Sequence, residues 1–324
     1  MKYDVFFFEA FEEEAEALQA ALPEGVSAGM TWKTIQEFGA ETPPARLISV
    51  RTQSNIPTAW AEALGGILSR STGYDHLTRY REETGRLEFP CGYLPLYCNR
   101  AVAEQACMMW MALLRRLPKQ MRQFEEFKRD GLTGCECAGR TLAVFGVGNI
   151  GYEVVRIGHG LDMNVVGVDL VRKFDDVAYY EPEQALRQAD VLVCAMNLTA
   201  ENLGYFSLER LLATRPGCVF VNIARGELAP SEVLLDALGR GHLGGVGMDV
   251  YNDEIELAGA LRDGLATENP EVAATLKLKA HENVVMTPHN AFNTRGAVER
   301  KSEHSAQQIE HFLRAGEFLW PIPF

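Results

Sequence analysis

The tightest constraint on the fold is a rhythm that begins near residue 140. Short apolar runs, TLAVF (141–145), NVVGV (164–168), DVLVCA (190–195), CVFVNI (218–223), GVGMDV (245–250) and NVVMT (283–287), are bounded by Gly, Asp or Asn. Helical patterns near 149–160, 183–188, 207–213, 231–240 and 271–279 alternate with them. Each run is apolar on successive residues, which suits a strand covered on both faces of a parallel sheet; a strand with one wet face would alternate. Repeated strand–helix succession predicts a doubly wound α/β domain.

The first hundred residues repeat this grammar on a smaller scale, with YDVFFF (3–8), ARLISV (45–50), GGILS (65–69) and helical stretches at 11–21 and 57–63, so a second, smaller α/β unit is expected. Between the two lies AVAEQACMMWMALLRR (101–116), apolar nearly all round, which must be covered by protein either between domains or at a subunit interface. The amphipathic KQMRQFEEFKR (119–129) follows it. After TPHNAF (287–292) comes a long amphipathic helix from about 293 to 315 and a WPIPF tail. If that helix packs back on the N-terminal unit, the small domain is discontinuous, and His289 sits at the crossover facing an interdomain cleft.

Composition narrows the function classes. A length of 324 residues suits two domains with sizeable cores. A net charge of −13 disfavours nucleic acid and anionic membrane as partners, because both demand clustered Lys and Arg. No run approaches the ~20 apolar residues of a membrane span. MKYDVFFFEAFEEE fits neither a signal nor a transit peptide and reads as a first strand. The seven cysteines are odd in number, none pair as CxxC, and Cys135 and Cys137 are too sparse for zinc. A soluble, cytoplasmic protein with reduced thiols and no metal is expected.

TLAVF runs directly into Gly146-Val147-Gly148-Asn149-Ile150-Gly151, a helical stretch follows, and the next strand ends in Asp169. This is a dinucleotide fingerprint in its proper context. The first Gly permits the turn, the second lets backbone N–H groups approach a pyrophosphate, and the third lets helix and strand pack closely. Asp169 would accept bonds from both ribose hydroxyls and repel a 2′-phosphate, which favours NAD over NADP, although Arg172 and Lys173 lie close by. The cofactor-binding set expected is Gly146, Gly148, Asn149, Ile150, Gly151 and Asp169 from this fingerprint, to which the family resemblance described below adds Asn197, Ala224 and Asp249.

Three further groups follow the carboxyl ends of different strands of the same sheet: Arg225 after CVFVNI, Glu254 after GVGMDV, and His289 after NVVMT. Ligands of such sheets bind at that edge. A planar guanidinium suits a carboxylate, and a histidine whose second ring nitrogen meets a carboxylate has its charged form stabilised for proton transfer. An Arg225–Glu254 structural ion pair is the competing arrangement.

The motifs GVGNIG, NIARGEL, GMDVYNDE and TPHNAF, in order and spacing, resemble those of the D-isomer-specific 2-hydroxyacid dehydrogenases over nearly the whole chain. The resemblance implies two Rossmann- and flavodoxin-like domains. The NAD-binding domain (100–288) is inserted into a catalytic domain made of 1–99 and 289–324, usually in a homodimer. It implies that His289 is the proton donor in reduction of a 2-keto acid, that Glu254 holds it charged, and that Arg225 binds the substrate carboxylate and polarises the carbonyl. In SRSTGYD (69–75) the N–H groups of Thr72 and Gly73 would hold the carboxylate. Tyr97 and Phe292 match aromatic positions that line the substrate pocket in the D-lactate dehydrogenase branch, with core packing as the alternative. Two aromatics there favour a small apolar substituent, hence pyruvate.

Asn197 stands where the family usually has Pro, Pro230 where an Asp commonly follows, and Arg100 where the lactate branch often has a smaller polar residue. Arg100 would contact a second acidic group or make a surface ion pair. Glyoxylate/hydroxypyruvate and phosphoglycerate dehydrogenases are the alternatives within this chemistry, the latter disfavoured because the chain stops at Phe324. A dinucleotide-sensing corepressor is the alternative outside it.

Overall fold

A computed structural model describes residues 2–323; Met1 and Phe324, the two ends of the expected outer domain, lie outside the described residues. In chain order the N-terminal elements are β1 Val5–Phe7, α1 Glu12–Ala21, β2 Ala28–Met30, α2 Ile35–Phe38, β3 Leu47–Val50, β4 Gly66–Ser69, α3 Asp75–Thr84 and β5 Cys91–Gly92. Then come α4 Asn99–Leu114, α5 Leu117–Phe124, β6 Thr141–Phe145, α6 Asn149–Gly160, β7 Asn164–Val168, α7 Pro182–Gln188, β8 Val191–Cys194 and α8 Leu208–Leu212. The chain ends with β9 Cys218–Asn222, α9 Ser231–Gly239, β10 Leu243–Met248, α10 Glu254–Asp263, α11 Pro270–Lys279, β11 Val284–Met286 and α12 Arg295–Ala315.

Two compact units result: an outer one of residues up to Cys98 with those from Asn293 onward, and an inner one, Asn99–Phe292. The second crossing lies four residues later than the 288/289 boundary read from sequence. The turn at 289–291 is hydrogen-bonded to Asp249 of the inner unit, through the N–H groups of Asn290 and Ala291, and so stays with it.

The inner sheet has the order β11-β10-β9-β8-β6-β7, and every pairing is parallel. Beyond β7 an isolated parallel bridge joins Gly167 to Tyr179, held by bonds from Gly167 N to Ala178 O and Tyr180 N to Gly167 O, both 2.9 Å; it is a vestigial edge strand. All residues of β6, β8 and β9 are buried, as their continuous apolarity requires. On one face Phe145, Leu192, Phe206, Phe220 and Leu234 belong to a single cluster. The α4 helix packs on β9, β10 and α6 within this unit, while Met108 and Met111 on its other side remain exposed. Strand order reverses between β6 and β8, the position at which such sheets open a crevice for ligands.

The outer sheet, β2-β1-β3-β4-β5, is also parallel. Its closing helix α12 packs on α1 and on β4, where a Cβ on Gly66 would run into the Phe312 ring. Arg300 Nε donates to Tyr97 O and Gln308 Nε2 to Tyr93 O, both at 2.9 Å, so the last helix grips the loops that precede α4.

Several elements depart from the sequence reading. The stretch expected to be helical at 57–63 is one 3₁₀ turn, Thr58–Trp60. The amphipathic stretch at 119–129 is helical only as far as Phe124. The strands β2 and β5 have three and two residues, too short to leave a periodic signal. Helix α3, with Asp, His, Arg and Glu outnumbering its apolar residues, and α10 were not anticipated.

Candidate active site

The three glycines of GVGNIG meet three different surroundings. Gly146 takes the left-handed φ of +90°, and a Cβ there would lie 2.6 Å from the carbonyl of Ala195 and the nitrogen of Met196. Gly151 would press a Cβ into the carbonyl oxygen of Gly146. Gly148 opens onto empty space. Gly146 is therefore forced by its φ and by the chain that leaves β8, Gly151 by the close approach of α6 to the turn, and Gly148 leaves its side of the turn bare. Asn149 and Ile150, partly exposed, begin α6, whose first-turn N–H groups have no intrahelical acceptors and carry the positive end of the helix. A dinucleotide diphosphate fits this cradle.

Asp169, one residue past β7, accepts from Val147 N at 2.6 Å and from Val171 N at 3.0 Å, so its carboxylate is fixed against the glycine turn. The neighbouring cations have protein partners: Arg172 reaches Glu181 at 3.4 Å and Lys173 reaches Asn149 Oδ1 at 3.2 Å. Asn197 is exposed beyond β8, its carbonyl accepting from Asn202 Nδ2 at 2.8 Å. Arg100 is half exposed and pairs with Glu104 at 2.7 Å and Glu153 at 3.3 Å, the surface arrangement.

At the end of β9 the side chain of Asn222 builds the turn that carries Arg225. Its Oδ1 accepts from Ala224 N at 3.0 Å, and its Nδ2 donates to Arg225 O at 2.8 Å. Arg225 Nη1 donates to Ala224 O at 2.8 Å. A Cβ on Gly226 would collide with the backbone of Tyr251 and Asn252, so the Gly lets the loop after β9 press against the loop after β10. Tyr251, next along, donates its hydroxyl to Met248 O at 3.0 Å and Thr287 O at 2.8 Å, tying the ends of β10 and β11 together.

His289 Nδ1 lies 2.9 Å from Glu254 Oε2, and Glu254 Oε1 accepts from Tyr251 N at 3.2 Å. Both side chains are about a quarter exposed, His289 at 29% and Glu254 at 26%. The contact assigns the ring proton of the pair to Nδ1, and Nε2 has no protein partner among the described residues. His289 holds a left-handed φ of +49°, a costly choice for a residue with a Cβ. Asp249, 1% exposed, compensates: its carboxylate accepts from Asn290 N and Ala291 N, each at 2.9 Å, and from the Thr287 hydroxyl. Gln105 Nε2, on α4, donates to the same hydroxyl at 3.1 Å. Burial pushes the Asp249 carboxyl above its ordinary 3.8, against these hydrogen bonds and the nearby His289.

The structure thus brings Arg225, Glu254 and His289 to one edge of the inner sheet, with Phe292 partly buried at the end of the same turn. Asn222, Tyr251, Thr287 and Gln105 were missed in the sequence. Only Asn222 left a signal, as an Asn at a strand end where side-chain-capped turns start. Thr72, Gly73 and Tyr97 belong to the outer unit. The first two lie in the turn after β4. Tyr97 is 4% exposed, and burial pushes its phenol well above 10. Among the described residues no cluster of His, Cys, Asp or Glu could hold a metal ion, and no helix is long and apolar enough to cross a membrane.

Replacing Asp249 with Ala strands the buried Ala291 N–H, removes the acceptor of Asn290 N–H and releases the strained turn. Denaturant unfolding should register a loss of about 2–4 kcal/mol. Amide exchange at Asn290 and Ala291 should accelerate; unchanged exchange would mean that the turn is held by something else.

Comparison with known proteins identifies the family. Residues 107–291, more than half of the chain, match the family model "D-isomer specific 2-hydroxyacid dehydrogenase, NAD binding domain". The chain is 30% identical to the D-lactate dehydrogenase of Escherichia coli strain K12 over 230 residues, 69% of each chain. It is 28% identical to the glyoxylate reductase of Pyrococcus furiosus over 262 residues, 76% of this chain and 72% of that one. Among solved structures, the D-lactate dehydrogenase of Aquifex aeolicus, complexed with NAD and lactic acid, superposes with a TM-score of 0.84 at 26% identity, covering 97% of this chain and 98% of that one. The glycine cradle, the parallel inner sheet and these likenesses lead to one conclusion: the chain belongs to the D-isomer-specific 2-hydroxyacid dehydrogenases, NAD-dependent oxidoreductases.

Proposed function

We propose that this dehydrogenase reduces a small 2-oxo acid, pyruvate first among the candidates, to the D-2-hydroxy acid. The observation that carries the reading is the 2.9 Å contact of His289 Nδ1 with Glu254 Oε2, which leaves Nε2 without a protein partner among the described residues. NADH, when bound on the Gly146–Gly151 cradle and Asp169, supplies the hydride. The chain's own residues deliver the proton and hold charge. Glu254 keeps the imidazolium oriented, and its Nε2 proton passes to the carbonyl oxygen as the electron pair reaches the carbonyl carbon. In the reverse direction neutral Nε2 takes the hydroxyl proton. Arg225 offers its guanidinium to the substrate carboxylate and polarises the carbonyl. Thr72 and Gly73 complete the proposed substrate-binding set through their backbone N–H groups. Asn197, Ala224 and Asp249 complete the proposed cofactor set, Asp249 by fixing the turn beside it.

Pyruvate heads the candidates because its methyl is a small apolar group of the kind Phe292 would pack against, and because D-lactate dehydrogenases are among the relatives. The burial of Tyr97 favours its core role over a pocket role. The similarity to a glyoxylate reductase favours glyoxylate or hydroxypyruvate as the second reading. NADH oxidation measured with pyruvate, glyoxylate, hydroxypyruvate and longer or aromatic oxo acids decides between them by kcat/KM. No turnover with any of them would instead favour a dinucleotide-binding, corepressor-like protein.

His289→Gln should lower kcat by roughly a hundredfold or more while NADH binding persists; near-normal turnover would remove His289 from the mechanism. Arg225→Gln should raise KM for the oxo acid and lower kcat together. If KM were unaffected, another cation would hold the carboxylate.

The proposal extends to a cytoplasmic homodimer. All seven cysteines are free, and Met111, Met121, Phe124 and Phe127 lie exposed along α4, α5 and the residues after α5. That much apolar surface in one segment suits cover by a second copy. Light scattering should give twice the 36.0 kDa chain mass, and Phe124→Glu should shift the protein toward monomer.

A further inference from the structure

The outer unit encloses a charged cluster that the reaction outlined above leaves without a task. Glu14 on α1, Arg70 just past β4 and Lys301 on α12 are 3%, 0% and 1% exposed. Glu14 Oε1 takes Arg70 Nε at 2.8 Å and Lys301 Nζ at 2.9 Å. Arg70 donates further to Ser49 Oγ at 3.0 Å and Phe8 O at 2.7 Å. Burying three charges is a poor route to stability, since apolar residues of similar volume do as well. Their retention calls for another reason.

The chain supplies one at the residues that follow Arg70. Ser71 Oγ donates to Gly73 O at 2.6 Å, Leu94 N donates to Ser71 O at 3.1 Å, and Thr72 Oγ1 donates to Leu94 O at 3.2 Å and touches Cys98 Sγ at 3.4 Å. The turn is thus fixed from below by its side chains. The backbone N–H groups of Thr72 and Gly73 donate to no acceptor among the described residues. Two cations share one carboxylate at the root of a turn whose donors are left for a ligand.

We propose that Lys301 is a positioning residue for this turn: with Arg70 it leaves the buried cluster net positive, locks the turn's first residue through Glu14, and so favours a carboxylate at the N–H groups of Thr72 and Gly73. The inference rests on the reading of that turn as a substrate-carboxylate site. The charged and titratable groups facing Lys301 are Glu14 from α1, Arg70 and Arg51 from the ends of β4 and β3, Arg300 beside it, and Tyr97 and Cys98 ahead of α4. Burial lowers the Lys301 ammonium to about 8, with Arg51 and Arg70 acting in the same sense and Glu14 against. Burial also opposes ionisation of Glu14, but Arg70, Lys301 and Arg51 outweigh it and hold that carboxyl down at about 2. Below pH 8 the Glu14–Arg70–Lys301 cluster therefore carries one net positive charge, and above it none, so anion affinity falls as pH rises.

The test is steady-state kinetics of the full chain with the best 2-oxo acid of the panel, from pH 6.5 to 9.5, for wild type, Lys301→Met and Lys301→Arg, with NADH affinity read by fluorescence. In wild type, KM for the oxo acid should rise on the order of tenfold as pH passes about 8. Lys301→Met, similar in shape but uncharged, should have that high KM at every pH, with kcat and NADH affinity within about twofold of wild type. Lys301→Arg should recover the low KM and keep it at alkaline pH, which restored packing alone would not do. A wild-type KM constant across the range, or a pH break that survives in Lys301→Met, overturns the proposal. Should Lys301→Met fail to fold, the wild-type profile and Lys301→Arg decide by the same criteria. Absence of turnover with every 2-oxo acid overturns the functional reading and this inference with it, whereas normal turnover with an unshifted KM in Lys301→Met overturns the inference alone.

Discussion

The inner unit depends on strands that all run one way. Because β6 to β11 are parallel, each loop leaving a carboxyl end emerges at the same edge, and residues of different loops, such as Asp249 and Ala291, become neighbours there. Direction alone does not align them. Gly226 lets the loop after β9 lie against that after β10, and Tyr251 binds the ends of β10 and β11. Asp249 then shapes the turn that aims His289 at Glu254. The proposed proton donor sits on a loop, and the buried Asp249 carboxylate holds that loop by two backbone hydrogen bonds.

Strain and its compensation are distributed along the same path. His289 stands in the left-handed region, and so does Asp253, the residue just before Glu254. Two unfavourable backbone conformations flank one hydrogen bond, which is the pattern expected where function rather than stability selects geometry. The hydrogen bonds to Asp249 offset part of that cost, and they are made from a group that burial would prefer neutral.

The outer unit meets a different problem. Its last helix is added after the entire inner unit has been made, and it must find α1 and β4 across that interruption. Phe312 over Gly66 fixes its depth, Arg300 and Gln308 fix its contacts with the loops before α4, and Lys301 pairs with Glu14 of α1.

Much of this was legible in the sequence, and for a physical reason. Buried parallel strands must be apolar on successive residues, and a glycine-rich turn between strand and helix has few other uses, so the inner sheet, the dinucleotide cradle and the strand-end positions of Arg225, Glu254 and His289 are written locally. The two-residue β5, the polar α3, the bridge at Tyr179 and α10 left no periodic trace, because neighbours and not local composition hold them. Tyr97 read equally well as pocket or core, and its burial is a property of the packed unit. Composition and motif order determined the class of chemistry. Only the tertiary structure decided that Asp249 serves the turn of His289, that the domain crossing falls after Phe292, and that Glu14, Arg70 and Lys301 meet, since each depends on contacts between segments that sequence spacing does not relate.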